Sequence, residues 1–329
     1  MAALAHQVRR AIRRHALCPP GTRLLVGVSG GSDSVALAIL LVEIARHDAF
    51  TVASLAHLNH RLRPTADRDE AFCRALADRL GLPIAVESAD VAGYAASQRL
   101  SVEDAARRLR YEFLHRSAGG AGADRIAVGH TRDDQAETFL LKLIRGAGLT
   151  GLGGVYPRRG AVVRPLLDVG RAELRDYLES RGEPWVEDET NEDVANPRNR
   201  IRHRALPELD LACGARAVPA IARAAALVRE DDQWLDELGG RRFEALVVRA
   251  ADGLWIDARA LVAEPAPLRR RIVLRALRIT AQDREIGLAH VEAVLEVAAG
   301  LSGGVDVPGG RVELRGGKLV LQDQRVSAG

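Results

Sequence analysis

Between Arg23 and about Arg181, short β-branched runs alternate with amphipathic helical stretches, and this alternation restricts the fold more than any other feature. "RLLVGVS" (23–29), "TVASLAHLNH" (51–60), "PIAVESAD" (83–90) and "DRIAVGH" (124–130) read as strands. "SVALAILLVEIARH" (34–47), "DRDEAFCRALADRLG" (67–81), "SVEDAARRLRYEFLHRSA" (101–118) and "DDQAETFLLKLIRG" (133–146) read as the helices that follow them. Repetition of this kind builds right-handed βαβ units, hence an α/β fold with a parallel, doubly wound sheet and helices on both faces. The loops after the strands then gather along one edge, where such sheets bind ligands. Ser101, with Glu103 and Asp104 behind it, reads as a helix N-cap, and Gly81 as a helix stop.

The polar stretch "EDETNEDVANPRNRIRHRALPEL" (187–209) breaks this rhythm, and an Ala-rich run from Ala215 to Leu246 reads as one long helix or two. "PLRRRIVLRALRI" and "HVEAVLEVAAG" add helices, and "VDVPGGRVELRGGKLVLQ" reads as a hairpin of short strands. The boundary is placed near residue 213: an α/β domain over 1–213 and a smaller, mainly helical domain with a terminal hairpin over 214–329.

A chain of 329 residues has room for both. No apolar run approaches the ~20 residues of a membrane span. Arg9, Arg10, Arg13 and Arg14, without an acid among the first twenty residues, resemble a transit peptide. A strand starting near Arg23 makes an amphipathic helix of the domain the better reading, and a cytoplasmic protein is expected. Cys18, Cys73 and Cys213 are scattered, which argues against a disulfide framework, a Cys-rich zinc site or a dithiol centre. Net charge is only +3, but lysine occurs only at Lys142 and Lys318. GC-rich coding produces such a bias, although arginine also suits bidentate phosphate contacts, so a nucleic-acid partner stays open.

The first strand stops at Ser29 in "VGVSGGSDS". Gly30 and Gly31 permit positive φ and close approach of a ligand to the backbone. Amides at a helix start make an anion nest, and Ser29, Ser32 and Ser34 offer hydroxyls. Asp33 would repel phosphates unless a cation intervened, which suggests Mg²⁺ bridging acid and phosphate. This loop is neither a GxxxxGK[ST] nor a GxGxxG.

The segment resembles the PP-loop, or N-type ATP pyrophosphatase, superfamily, whose signature is SGGxDS after the first strand of a Rossmann-like sheet. "HLNHRLR" (57–63), "ARRLRY" (106–111), "GHTRDDQAET" (129–138), "RGAGLTGLGG" (145–154), "RPLL" (164–167) and "EDETN…PRNRIRHRALPEL" are similar, in order, to motifs of its tRNA(Ile)-lysidine synthetase branch. The resemblance covers residues 23 to about 209 and implies ATP cleavage between the α- and β-phosphates.

Within those motifs, His130, Asp133 and Asp134 sit at a strand's carboxyl end and a helix start. One acid suffices for capping; by resemblance Asp134 takes the catalytic or metal-linked role and could share Mg²⁺ with Asp33. Glu137 reads equally as a ligand-facing or a solvated helix residue. Arg107 and Arg110 share a helix face, and resemblance singles out Arg110 to hold the α-phosphate and neutralise departing pyrophosphate. His57, Asn59 and His60 end a strand, open to base or ribose contact or to structural hydrogen bonding; His57 and His130 are counted with the ATP site. "RGAGLTGLGG" reads as a mobile, substrate-facing loop. Arg198, Arg200, Arg202 and Arg204 beside His203 read as phosphate contacts to RNA.

The implied function is ATP-dependent modification of tRNA(Ile) with a CAU anticodon. The cytosine at the first anticodon position is adenylated, and free L-lysine displaces AMP to give lysidine. The 214–329 region would then help bind tRNA, and a homodimer is admitted among the partners. tRNA thiolation is the main alternative, with amide ligation of the asparagine or GMP synthetase kind beside it. Thiolation relies on paired cysteines or an iron–sulfur cluster, which three scattered cysteines do not supply, and no glutaminase domain is visible for amide synthesis.

Overall fold

The computed structural model describes residues 2–61, 65–187, 195–214, 216–250, 253–281 and 284–323. Leu62 and Arg63 of "HLNHRLR", and Asp188 to Asn191 of "EDETN", lie outside the described residues. The chain divides into two compact units, Met1–Val228 and Arg229–Gly329. The division falls inside a long helix rather than at the polar break read near 213, because the helix begins in one unit and ends in the other.

The first unit opens with α1 (Ala2–Arg14), β1 (Arg23–Gly27), α2 (Ser32–Ala45), β2 (Thr51–Asn59), α3 (Ala66–Leu80) and β3 (Ile84–Ser88). α4 (Val91–Gln98), α5 (Val102–Gly120), β4 (Arg125–Ala127), α6 (Arg132–Ile144) and α7 (Leu149–Leu152) follow. Then come β5 (Arg158–Arg159), β6 (Val162–Val163), α8 (Arg171–Glu179), α9 (Pro197–Arg200), a π-helical turn (Ile201–Ala205) and α10 (Leu206–Cys213). The strand order is β3-β2-β1-β4-β6-β5, parallel except for the β5–β6 pair. The doubly wound parallel sheet expected from the sequence is present, and β5–β6 adds a short antiparallel edge to it.

β1 and α2 form the centre because their residues are apolar all round. Leu24, Leu25, Val26, Val35, Leu37, Leu40 and Leu41 are fully buried, so α2 lacks a polar face. Such a helix is stable only when covered on every side, here by α1, α8 and the sheet. Strand order reverses at β1, whose neighbours are β2 and β4. The loops after β1 and β4 therefore flank the crevice where ligands bind to such sheets. Ser101 caps α5 by accepting the Asp104 amide at 3.1 Å, and Gly81 ends α3 at φ +66°.

α11 (Ala217–Leu246) crosses the division. The second unit continues with β7 (Val247–Ala250), β8 (Gly253–Asp257), α12 (Ala258–Ala263), α13 (Ala266–Thr280) and α14 (Leu288–Ala298). It ends in β9 (Gly304–Val307), β10 (Gly310–Arg315) and β11 (Lys318–Asp323). The expected hairpin is β10–β11, and β7, β8 and β9 extend it to an antiparallel sheet ordered β7-β8-β11-β10-β9. Its core joins Phe243, Ile256, Leu261, Ile272, Leu277, Val294 and Leu319, and the Asp232–Arg271 ion pair sits beside it. Among the described residues no single helix is long and apolar enough to cross a membrane.

Candidate active site

The loop after β1 is shaped by Gly30, whose φ of +87° an L side chain rarely adopts. Ser34 is used inside the loop: its hydroxyl donates to the Gly31 carbonyl at 3.0 Å and accepts the Ser29 amide at 3.0 Å. Ser34 thus braces the turn rather than offering the free donor read from the sequence. The Ser29 hydroxyl lies 3.2 Å from that of Ser34, and Ser32 is itself buried. α2 begins at Gly31 with no side-chain cap, so its N-terminal amides and dipole face the crevice.

The loop after β4 is the neighbour of this one. A Cβ on Gly129 would come within 3.2 Å of the Asp33 backbone, so glycine there lets the two loops touch. α6 starts with a capping box in which Asp134 Oδ2 accepts from the Thr131 amide at 2.8 Å and the Thr131 hydroxyl at 3.0 Å. Asp134 is therefore the capping acid and keeps only Oδ1 for other work. Asp133 Oδ2 instead accepts the backbone N–H of Arg171 at 2.9 Å.

Arg171 joins the two loops. Its Nε donates to Asp33 Oδ2 at 3.1 Å and its Nη2 to Asp134 Oδ1 at 3.2 Å, with Nη1 3.6 Å from Glu137 Oε1. As the first residue of α8, it sets a cation at the positive end of a helix dipole, an unfavourable place that the surrounding acids offset. Burial alone would lower its pKa; Asp134, Asp33, Glu137 and Asp133 outweigh burial and raise it. Burial pushes the Asp33 carboxyl up to about 6, with Arg171 pulling against it and Asp134 adding to the rise. Burial acts likewise on Asp134, but Arg171, His130 and Arg198 prevail and hold it below the ordinary carboxylate range.

Glu137 is fully buried, which removes the solvated reading. Arg198 Nε reaches its Oε2 at 2.8 Å and Arg202 Nε its Oε1 at 2.7 Å. Two of the four arginines expected on RNA thus point into the protein, because a buried carboxylate needs paired charge. Arg198 and Arg202 are four residues apart and share one helix face; Arg200 and Arg204 share another and are exposed.

His130 is set by Arg164, which is buried and donates from Nε to His130 Nδ1 at 3.3 Å and from Nη1 to the Tyr156 carbonyl at 2.8 Å. Burial lowers the His130 pKa far enough to keep the ring neutral, with its proton on Nε2. Tyr111 links this group to α5: Arg164 Nη2 lies 3.4 Å from its hydroxyl, and the Arg107 and Arg110 guanidinium carbons lie 5.3 and 5.8 Å from its ring centroid. Arg110 is exposed yet within electrostatic reach of Asp134 and Arg198.

His57 is buried with Nδ1 3.0 Å from the Val28 carbonyl, to which it donates, and among the described residues Nε2 has no hydrogen-bond partner. Burial lowers its pKa, so the ring is neutral and Nε2 is an acceptor. Asn59 is structural: it accepts the Arg61 amide at 3.0 Å and donates toward Asp67 at 3.3 Å and Glu70 at 3.2 Å. The glycine-rich segment after α6 contains α7 and is tied at its end by the buried Gln135. That side chain donates to the Gly153 carbonyl at 3.0 Å and accepts the Val155 amide at 2.7 Å. Gln135→Ala is expected to loosen this segment, read as faster amide exchange at 149–155 while α6 exchange stays unchanged.

Sequence reasoning missed Arg171, Arg164 and Gln135 as site-building residues. The one local signal for Arg171 was an arginine opening a helix against its dipole.

The donor chemistry of Asp33 and Asp134 fits Mg²⁺: two hard carboxylates, with the remaining positions left to phosphate and water. Among the described residues no group of three or more His, Cys, Asp or Glu is placed to hold a metal alone. Cys18 in the loop after α1, Cys73 on α3 and Cys213 on α10 are free thiols.

Residues 4–209 match the PP-loop domain family. A tRNA(Ile)-lysidine synthase of Geobacter sulfurreducens is 39% identical over 89% of this chain and 62% of its own length. One of Thermus thermophilus is 41% identical over 93% and 58%, and one of Dehalococcoides mccartyi 36% identical over 97% and 68%. The chain thus spans about three fifths of the length of the first two relatives, 62% and 58%. Among solved structures, the U34-tRNA thiolase NcsA of Methanococcus maripaludis with its [4Fe-4S] cluster superposes with a TM-score of 0.56. It shares 16% identity and covers 69% of this chain and 78% of its own, a likeness of fold. With its switch-point loops, uncapped α2 and motif-matched first unit, the chain belongs to the PP-loop family that includes these tRNA(Ile)-lysidine synthases.

Proposed function

We propose that the chain adenylates the cytosine at the first anticodon position of tRNA(Ile) with a CAU anticodon and transfers free L-lysine to it, releasing AMP and pyrophosphate. The observation that carries the reading is the acid pair Asp33–Asp134, bridged by Arg171 beside an uncapped helix N-terminus. A cytosine carbonyl is a poor electrophile until its oxygen becomes part of a phosphate leaving group. The residues present suit that task. The amides of Gly30, Gly31 and Ser32 and the Ser29 hydroxyl bind polyphosphate, Arg110 neutralises charge as pyrophosphate leaves, and His57 Nε2 accepts from the nucleoside. Mg²⁺, held by Asp33 and Asp134, would supply Lewis-acid neutralisation of the phosphate oxygens. Neutral His130 donates from Nε2 without carrying a charge of its own. Arg200 and Arg204 contact RNA phosphates, whereas Arg198 and Arg202 act through Glu137.

Thiolation is the second reading, favoured only by the fold shared with NcsA. Incubation with ATP and tRNA, then with lysine or with sulfide, separates the two. Pyrophosphate release with ATP and tRNA alone, then lysine-dependent release of AMP, is expected; AMP release only with a sulfur donor would replace this reading with thiolation.

A further inference from the structure

The α6 face that carries Asp134 and Glu137 continues at helical spacing to Leu141 and Ile144, about 6 and 10 Å beyond Glu137 along the axis. There it walls a groove of about 560 Å³ whose floor is Leu141, Ile144, Pro197 and Ile201. Its rim carries Arg145, Arg200 and Arg204 against a single acid, Glu208. Ile144 is 77% exposed, a large apolar side chain for which the described residues provide no cover. The groove is built by the π-helical turn Ile201–Ala205, a wide turn of the kind that recurs at functional sites. That turn sends Arg202 inward to Glu137 while Arg200 and Arg204 line the groove.

The geometry points to a subsite for one unstacked nucleotide of single-stranded RNA, adjoining the nucleotide that reacts beside Asp134. The inference rests on the tRNA reading above. A nucleotide has an apolar π-face and an anionic phosphate, and this groove has an apolar floor and a cationic rim. Single-strand binding uses that combination, with guanidinium stacking in place of aromatic rings. The volume lies in the range of small-ligand pockets. Charge complementarity favours RNA over a peptide or a second copy of the chain, whose docking would not call for three arginines around one apolar floor.

The test uses the full chain and an anticodon stem-loop with 2-aminopurine at each nucleotide flanking the target cytosine in turn. One position should change fluorescence on binding. Ile144→Asp should abolish that change and weaken stem-loop binding roughly tenfold, while binding of a fluorescent ATP analogue stays unchanged. Ile144→Trp should tighten binding, and Arg200→Ala and Arg204→Ala should each lower the salt slope by about one. The proposal is overturned if Ile144→Asp leaves stem-loop affinity and fluorescence as in the wild type. It is equally overturned if that variant alters only self-association, which would make the groove a docking site for a second copy. Wild-type protein that binds the stem-loop but transfers no lysine would remove the lysidine reading and leave the groove standing.

Discussion

Asp33→Asn is expected to abolish pyrophosphate release and, at the same time, to make the protein more stable. The loss of activity follows from the place of Asp33 at the switch-point crevice. Removing one preorganised charge that acts on the transferring phosphates costs roughly 10²–10³ in rate. The gain in stability follows from its pKa, which burial raises to about 6 from an ordinary value of 3.8. A carboxyl raised in the fold holds its proton more tightly there than in the unfolded chain. Protonation therefore stabilises the fold fully below pH 3.8, and that contribution is lost as pH rises through about 6. Above pH 6 the wild type bears the cost of an ionised buried acid, roughly 3 kcal/mol, which the amide does not. Urea titration at pH 8 should show the variant more stable, with the difference shrinking as pH falls through 6 toward 4. A variant less stable than wild type at pH 8 would contradict the strained-acid account.

Glu137→Gln is expected to have the opposite effect on stability and a comparable effect on activity. Glu137 is fully buried, and three guanidinium groups, those of Arg171, Arg198 and Arg202, converge on it. Loss of its charge leaves those cations uncompensated, which costs about 3–5 kcal/mol for a buried pair broken on one side. For a unit of this size, that lowers the melting temperature by roughly 10 °C. Because Arg171 also holds Asp33 and Asp134, activity should fall even at temperatures where the variant is folded. Thermal melting and pyrophosphate release at 20 °C measure the two effects separately. Unchanged melting would show that the arginines find other partners.

The βαβ framework was legible because burial writes itself into local pattern. β1 and α2 had to be central, since neither has a polar face, and SGGSDS between them marks the loop at the strand-order reversal. Ser101 and Gly81 were legible because caps are local chemistry. β7 and β8 were missed: each is only four or five residues long, and β7 follows α11 directly, although Asp252-Gly253 between them is a hairpin-turn signal in the sequence. The inward turn of Arg198 and Arg202 was illegible for a different reason. A run of arginines looks solvated until a buried acid from another helix is set beside it, and Glu137 lies more than sixty residues away. Arg171 reaches Asp33 across 138 residues of chain, and no periodicity records such a contact. The helix that it opens against the dipole is the trace that it leaves.

The proposed reaction joins lysine to an RNA base through an adenylate. The direct measurement is transfer of labelled free lysine to tRNA(Ile) with a CAU anticodon, in the presence of Mg²⁺ and ATP. The predicted result is one lysine per tRNA, equimolar AMP and pyrophosphate, and no transfer when the first anticodon base is uridine or when Asp33→Asn replaces the wild type. ATP cleavage with no label entering the tRNA, or label entering regardless of the first anticodon base, would contradict it.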